Sequence, residues 1–191
     1  EDLNNHLMSI NDLSFLPEPY FLKNGIDDVV EYSAQNKTLI KKLIETSNLQ
    51  LKDYDEVSSQ IKNSLNDDNP WVRYWGLIVC SSFGSKAIEN KEKINVIFEN
   101  DSENLVRMRA AEFMLLNDIE LNDSKINSLL KRSNFEAEAN LMLNTLANIK
   151  TINPKYKLNL NKNVFPENWI PPIREENALV NRRMNYLTEN E

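Results

Sequence analysis

Acid–base and nucleophilic chemistry begins with histidine, cysteine or closely placed carboxylates, and this chain has few such groups in useful patterns. Its one histidine, His6, and its one cysteine, Cys80, are far apart in sequence. A Ser-His or Cys-His nucleophile needs a base within hydrogen-bond reach of the attacking atom, and a terminal histidine is expected to be idle. A zinc centre draws on several Cys and His ligands, more than are present. Gly25, Gly76 and Gly84 are isolated, so there is no glycine-rich phosphate loop. The adjacent carboxylates Asp27-Asp28 and Asp67-Asp68 stand at expected helix starts, where negative charge complements the helix dipole. Trp71, Arg73, Tyr74 and Trp75 could line a groove that stacks a base. That reading lacks the basic stripe that phosphate binding requires. No catalytic residue, cofactor-binding residue or metal ligand is assigned, and no cofactor is expected.

The bulk numbers point the same way. The chain has 191 residues, 41% hydrophobic and 27% charged, with a net charge of −7 and a pI near 4.9. Such a balance argues against nucleic acid and against an anionic membrane surface as partners. The short basic runs Lys41-Lys42 and Arg182-Arg183 read as solvated helix faces. With only 3 glycines, a β-sandwich or barrel is disfavoured, because its turns need them. No apolar run approaches the ~18 residues of a membrane helix, so no membrane insertion is expected. A single cysteine excludes an internal disulfide. The chain opens at Glu1 without a signal peptide, which reads as a processed product or a piece of a longer protein.

Periodicity supplies the elements. A lead-in helix over Asp2–Asp12 carries Leu3, Leu7 and Ile10, and ends in a Pro-interrupted stretch containing Pro17 and Pro19 that should be extended. Gly25 closes it. A helix is predicted from Asp27 or Asp28 to Ser47, with Val29, Val30, Leu39, Ile40, Leu43 and Ile44 inward. Tyr54, Val57, Ile61 and Leu65 form one helical face. Asn69 then suits an N-cap and Pro70 the first helical position. Val72, Trp75, Gly76, Val79, Cys80 and Phe83 make the next stripe, with Trp75 and Cys80 in the core, and Gly84 ends that helix.

The pattern recurs. Ile94, Ile97 and Phe98 mark a short helix, Asp101-Ser102 a cap, and Val106, Ala110, Phe113 and Met114 a second stripe. Asp67, Val72 and Arg73 map onto Asp101, Val106 and Arg107; 101 − 67, 106 − 72 and 107 − 73 are each 34. A third copy begins at Asp123-Ser124 with Ile126, Leu129 and Leu130. Its second helix bears Phe135, Ala139, Met142, Leu146 and Ile149 but lacks the Val-Arg pair. A Pro/Asn-rich tail follows from Thr151, then a final helix from about Glu175 to Thr188 with Val180, Met184 and Leu187 inward. Residues 1–26 thus form a lead-in, 27–150 the repeats and 151–191 the tail and closing helix, expected as one structural domain.

A fixed period of this length implies one supersecondary unit stacked on its neighbours. An Asp ahead of a Val-Arg pair at the start of an apolar second helix resembles the HEAT repeat, in its shorter bilin-lyase-like variety. The expected fold is therefore all-α, a HEAT-like α-α superhelix of stacked antiparallel helix pairs. The resemblance implies that Asp67, Arg73, Asp101 and Arg107 have a structural role, pairing between adjacent units as a ladder. Tetratricopeptide and ankyrin signatures are missing.

A second resemblance reaches further. Asp12-Leu13-Ser14-Phe15-Leu16-Pro17-Glu18, followed by Asn69-Pro70-Trp71-Val72-Arg73-Tyr74-Trp75-Gly76, is similar to the C-terminal region of bacterial sulfatases of the heparan N-sulfatase-like group. There a Phe-Leu-Pro-Glu segment leaves the catalytic domain and leads into HEAT-like helices. That family's catalytic signature is Cys or Ser, any residue, Pro, any residue, Arg. Cys80 departs from it, with Ser82 in place of Pro and Gly84 in place of Arg, and Ser14 departs too, since Leu16 stands where Pro should be. Its calcium carboxylates have no counterpart here.

What the resemblance implies is a non-catalytic accessory domain of a secreted or periplasmic sulfatase acting on sulfated carbohydrate. Its partner would be the catalytic domain of the same polypeptide. The alternatives are a free-standing HEAT-repeat scaffold that binds another protein, and a small HEAT-like lyase or glycosylase. Phe15, Leu16, Tyr20, Phe21, Trp169 and Ile170 are the candidate docking patch, being large apolar groups in Pro-interrupted flanks. Self-capping of the array ends would make the same demand on composition.

Overall fold

A computed structural model describes residues 16–153, 157–161, 164–165 and 175–188. The lead-in helix over Asp2–Asp12, His6, Phe15 and the Trp169–Pro172 stretch lie outside the described residues. Among the described residues the regular structure is helical, with no strand. The chain divides between Ala87 and Ile88 into two compact units.

The first unit opens with α1 (Glu18–Asn24), which corrects the expectation of an extended path here. Pro17 is the extended residue before the helix and Pro19 sits in its first turn, where a missing N–H costs nothing. The prolines therefore start this helix. Gly25 ends it at φ 60°, and Ile26 N–H donates to the Phe21 carbonyl at 3.0 Å, a left-handed C-terminal stop.

The single helix expected up to Ser47 is two, α2 (Val29–Gln35) and α3 (Lys37–Ser47). Asp28 caps α2 by accepting from Glu31 N–H at 2.8 Å. Asn36 breaks the helix at φ −113°, ψ 28° and turns its amide back to the Tyr32 carbonyl at 2.8 Å. A short polar side chain can compete for backbone groups in this way. Val30 is left 75% exposed, not inward, while Ile40, Leu43 and Ile44 are buried.

A short 3₁₀ turn (Asn48–Leu51) leads to α4 (Tyr54–Leu65) and α5 (Pro70–Phe83). Asn69 caps α5 as expected, its side chain accepting from Trp71 N–H at 2.9 Å, with Pro70 at the first helical position. Helix α5 packs on both α3 and α4. A Cβ at Gly76 would lie 2.4 Å from Ser64 Oγ, so only glycine lets α5 approach α4 this closely. Gly84 stops α5 at φ 56°.

The second unit holds α6 (Lys91–Asn100), α7 (Asn104–Leu116), α8 (Asp123–Lys131), α9 (Glu136–Ile152) and α10 (Glu175–Thr188). Helix α7 packs on α6 and α9, and α9 on α10. Phe98, Phe113, Ile126, Leu130, Met142 and Leu146 fill its core, and Val180, Met184 and Leu187 of α10 are buried, as their spacing predicted. Residues 157–161 lie outside any helix, and Leu158 and Leu160 are buried between exposed neighbours, the alternation that an extended chain produces.

Every position that α5 buries is buried on α7 as well, where Asn104, Glu112 and Leu115 are buried in addition. Trp71, Val72, Tyr74, Gly76, Leu77, Val79 and Cys80 face inward on α5; 34 residues on, Leu105, Val106, Met108, Ala110, Ala111, Phe113 and Met114 face inward on α7. Trp75, expected in the core, is only half-buried, while Trp71 at the helix start is buried at 4% exposure. The reason is α1, whose Tyr20 ring lies edge-on to Trp71 at 5.1 Å and widens the buried face of α5 towards its start.

Candidate functional site

The repeated Asp and Arg side chains fasten hairpin turns. A helix leaves its last carbonyls without intrahelical partners, and cationic side chains are favourable there. Arg73, on α5, sends Nη1 back to the Asp67 carbonyl at 2.7 Å and the Asp68 carbonyl at 3.0 Å, just past the end of α4. Arg107, on α7, sends Nε to the Phe98 carbonyl at 2.5 Å in the last turn of α6, with its guanidinium 5.7 Å from the Phe98 ring centre. Burial, and then the charge of Arg132, lower the Arg107 pKa; Glu99 and Asp101 act in the opposite sense.

The aspartates match as well. Asp67 Oδ1 accepts from Asn69 N–H at 3.0 Å, and Asp101 Oδ1 accepts from Glu103 N–H at 3.0 Å. Asp67 also pairs through Oδ2 with Lys42 at 2.5 Å.

The third copy, without a Val-Arg pair, reaches the same end differently. Glu138 is 3% exposed in the first turn of α9. Its Oε2 accepts from Asn134 N–H at 2.7 Å and from the Asn134 amide at 3.0 Å, and Asn104 of α7 approaches the same carboxylate at 3.4 Å. Asn104 also donates to the Arg132 carbonyl at 3.0 Å, tying the end of α8 to α7.

The structure brings half of the candidate docking patch together. Leu16 is buried at 3% exposure, while Tyr20 and Phe21 are half-buried. Tyr20 meets Tyr32 edge-on at 5.8 Å and shares a hydrogen bond between the two hydroxyls; Phe21 meets Tyr32 at 6.1 Å. These side chains pack within their own unit. Phe15, Trp169 and Ile170 fall outside the described residues.

Two features escaped sequence reasoning. One is a groove of about 430 Å³ between α3 and α4, lined by Lys42, Glu45, Asn48, Gln60, Asn63 and Asp67 among others. It offers both charges and several amides, with Leu49 and Val72 also in the lining. Nothing in the local sequence announces it, since its walls belong to ordinary amphipathic helices. The other is the contact of Asp123 and Asn127 on α8 with the extended segment at 157–161. Here there was a signal, the strict alternation of Lys157-Leu158-Asn159-Leu160-Asn161 within a polar tail.

Cys80 is fully buried, and desolvation raises its thiol pKa to about 12. Among the described residues no group of three or more His, Cys, Asp or Glu side chains is placed to hold a metal ion. No helix among them is long and apolar enough to cross a membrane. Comparisons with protein-family models, curated proteins and solved structures returned no match.

Proposed function

We propose that this chain is a non-catalytic accessory domain of HEAT-like helical hairpins that serves as an interaction module. We propose further that its parent is a sulfatase-like hydrolase acting on sulfated carbohydrate in the periplasm or outside the cell. The observation that carries the first part is the 34-residue recurrence of inward positions together with the recurrence of the arginine's task. Arg73 binds carbonyls in the turn just past the preceding helix and Arg107 binds one in that helix's last turn, so each arginine ties its helix back to the one before it, as expected of a unit built to be stacked. The parentage rests on the Phe15-Leu16-Pro17-Glu18 and Asn69–Gly76 motifs.

The test has two arms. The reading frame upstream of Glu1 should encode an α/β sulfatase domain with the Cys or Ser, Pro and Arg signature. The longer protein should then hydrolyse a sulfate ester or sulfamate, and the 191-residue chain should not. An upstream frame lacking such a domain removes the sulfatase parentage. Metal-dependent turnover by the purified chain alone removes the non-catalytic reading.

The second reading is a free-standing scaffold for another protein. The grip of α8 on an extended stretch of chain favours it, because the same contacts would hold a peptide from elsewhere.

A further inference from the structure

Helix α8 carries Asp123 and Asn127 four positions apart, on one face of the helix. Asn127 donates from Nδ2 to the Asn159 carbonyl at 3.0 Å and accepts at Oδ1 from Asn161 N–H at 2.7 Å. These backbone groups flank Leu160, and they are the pair that a residue of a neighbouring parallel strand would engage. The side-chain amide thus stands in for one peptide unit of a strand. Its remaining N–H donates to the Asp123 carbonyl at 2.9 Å, which fixes the plane of the amide. Asp123 Oδ2 adds a bond from Asn159 N–H at 3.2 Å.

All three contacts go to the backbone of the segment, so they read its extended shape and not its side chains. Selectivity falls to Leu158 and Leu160, which are 9% and 6% exposed, while Lys157, Asn159 and Asn161 are exposed. An extended chain puts alternate side chains on opposite sides. One face of the segment therefore seats two apolar side chains, and its edge is held by the helix.

We propose that this face of α8 is a peptide-binding site for an extended segment of the pattern polar-apolar-polar-apolar-polar, and that residues 157–161 are its tethered ligand. A tethered ligand competes at an effective concentration that reaches millimolar for a short connection. A segment of the same pattern from another protein would enter only when the resident one leaves. The site stands or falls independently of the parentage proposed above.

The experiment uses the full chain with Leu158→Asp and Leu160→Asp, which takes the apolar anchors from the resident segment. The probe is a labelled synthetic peptide carrying residues 155–165 of the unaltered sequence, followed by fluorescence anisotropy. The expected result is binding at least about tenfold tighter than to the unaltered chain, where the tethered copy competes. Adding Asn127→Leu to the variant should abolish the gain, and so should N-methylation of the peptide at Asn161. Replacing Asn159 of the peptide with alanine should leave binding unchanged, because its side chain takes no part. Binding indifferent to Asn127→Leu or to the N-methyl group would overturn the proposal, as would absence of binding to a variant with intact helical circular dichroism. Should the double variant not fold, amide exchange in the unaltered chain decides. Asn161 N–H should be protected, and Asn127→Leu should release it while leaving the core amides of α7 slow. Rapid exchange at Asn161 in the unaltered chain would likewise overturn it.

Discussion

The hairpins α4–α5 and α6–α7 solve one problem with different residues. Trp71, Tyr74 and Gly76 face inward on α5 where Leu105, Met108 and Ala110 do so on α7. Arg73 holds two carbonyls beyond the end of α4, whereas Arg107 holds one carbonyl inside the last turn of α6 and covers the Phe98 ring. What recurs is a shared set of inward positions and the arginine's reach back to backbone carbonyls at or just past the end of the preceding helix. The identity of the packing residues does not recur, because each interior is filled by the volumes its own neighbours supply. In the first hairpin those neighbours include the aromatic rings of α1.

The largest test of this comparison is to empty the same position in both hairpins. Phe113 on α7 and Val79 on α5 are 34 residues apart and fully buried. Phe113→Ala should cost roughly 3–5 kcal/mol, and Val79→Ala about 2 kcal/mol, from the smaller apolar area lost. Denaturant titration read by circular dichroism checks both. A Phe113→Ala loss under about 1 kcal/mol would mean that the inward face of α7 is misplaced.

A middle-sized effect concerns the third copy, where a carboxylate replaces the arginine. Glu138→Ala removes the bonds that exposed Asn134 makes to a charged acceptor and leaves the Asn104 amide with the Arg132 carbonyl alone, at a cost of about 1–3 kcal/mol, the worth of hydrogen bonds to a charged group. Glu138→Gln should restore part of it, since an amide oxygen still accepts while its nitrogen cannot. If alanine and glutamine prove equally mild in a thermal melt, the carboxylate is not what closes that hairpin.

The smallest thermodynamic effect is expected at the arginines themselves. Arg73→Lys and Arg107→Lys keep the charge but lose the guanidinium geometry. Each should cost about 1 kcal/mol, the net worth of a typical hydrogen bond. Arg107→Lys should be the larger of the two, because the stacking over Phe98 goes as well. Equal losses in the two variants would show that the ring contact adds nothing.

The same contrast explains what could be read before any coordinates. The second helices, the Asn69-Pro70 start, the Gly84 stop and the closing helix were legible, because each depends on local chemistry or on helical period within a dozen or so residues. The break at Asn36 was not, since it depends on one amide turning back on its own helix. Pro17 and Pro19 read in sequence as a helix stop, although proline is at home in a first turn. The depth of Trp71's burial was not legible either, because the buried arc of α5 is set partly by Tyr20, some fifty residues earlier. Of the six patch residues, Leu16, Tyr20 and Phe21 are among the described ones: Leu16 is buried, Tyr20 meets Tyr32 and Trp71, and Phe21 meets Tyr32. The grip of Asn127 on residues 159 and 161 joins positions more than thirty apart, beyond the reach of any periodicity.

Cys80 offers the finest measurement, because it perturbs nothing. It lies on the inward face of α5, at the position that Met114 holds on α7, and it is the chain's only thiol. Burial raises its pKa from 9.0 to about 12, so in the folded state the nucleophilic thiolate is scarce at any ordinary pH. Labelling by a thiol reagent at pH 8 should therefore proceed only through opening of this hairpin, and its rate should report the opening free energy. Val79→Ala, beside Cys80 in sequence, should speed labelling, while Arg73→Lys should speed it less. The sign of the pH effect follows from the same burial. A thiol whose folded pKa is raised ionises more readily when unfolded, so its contribution to stability is full below pH 9.0 and is lost as pH rises towards 12. The unaltered chain should thus lose more stability between pH 9 and 11 than Cys80→Ala does, with each compared to its own value at pH 7. Parallel losses in the two proteins, or labelling of the folded chain as fast as of a short peptide, would place Cys80 at the surface and break the match between α5 and α7.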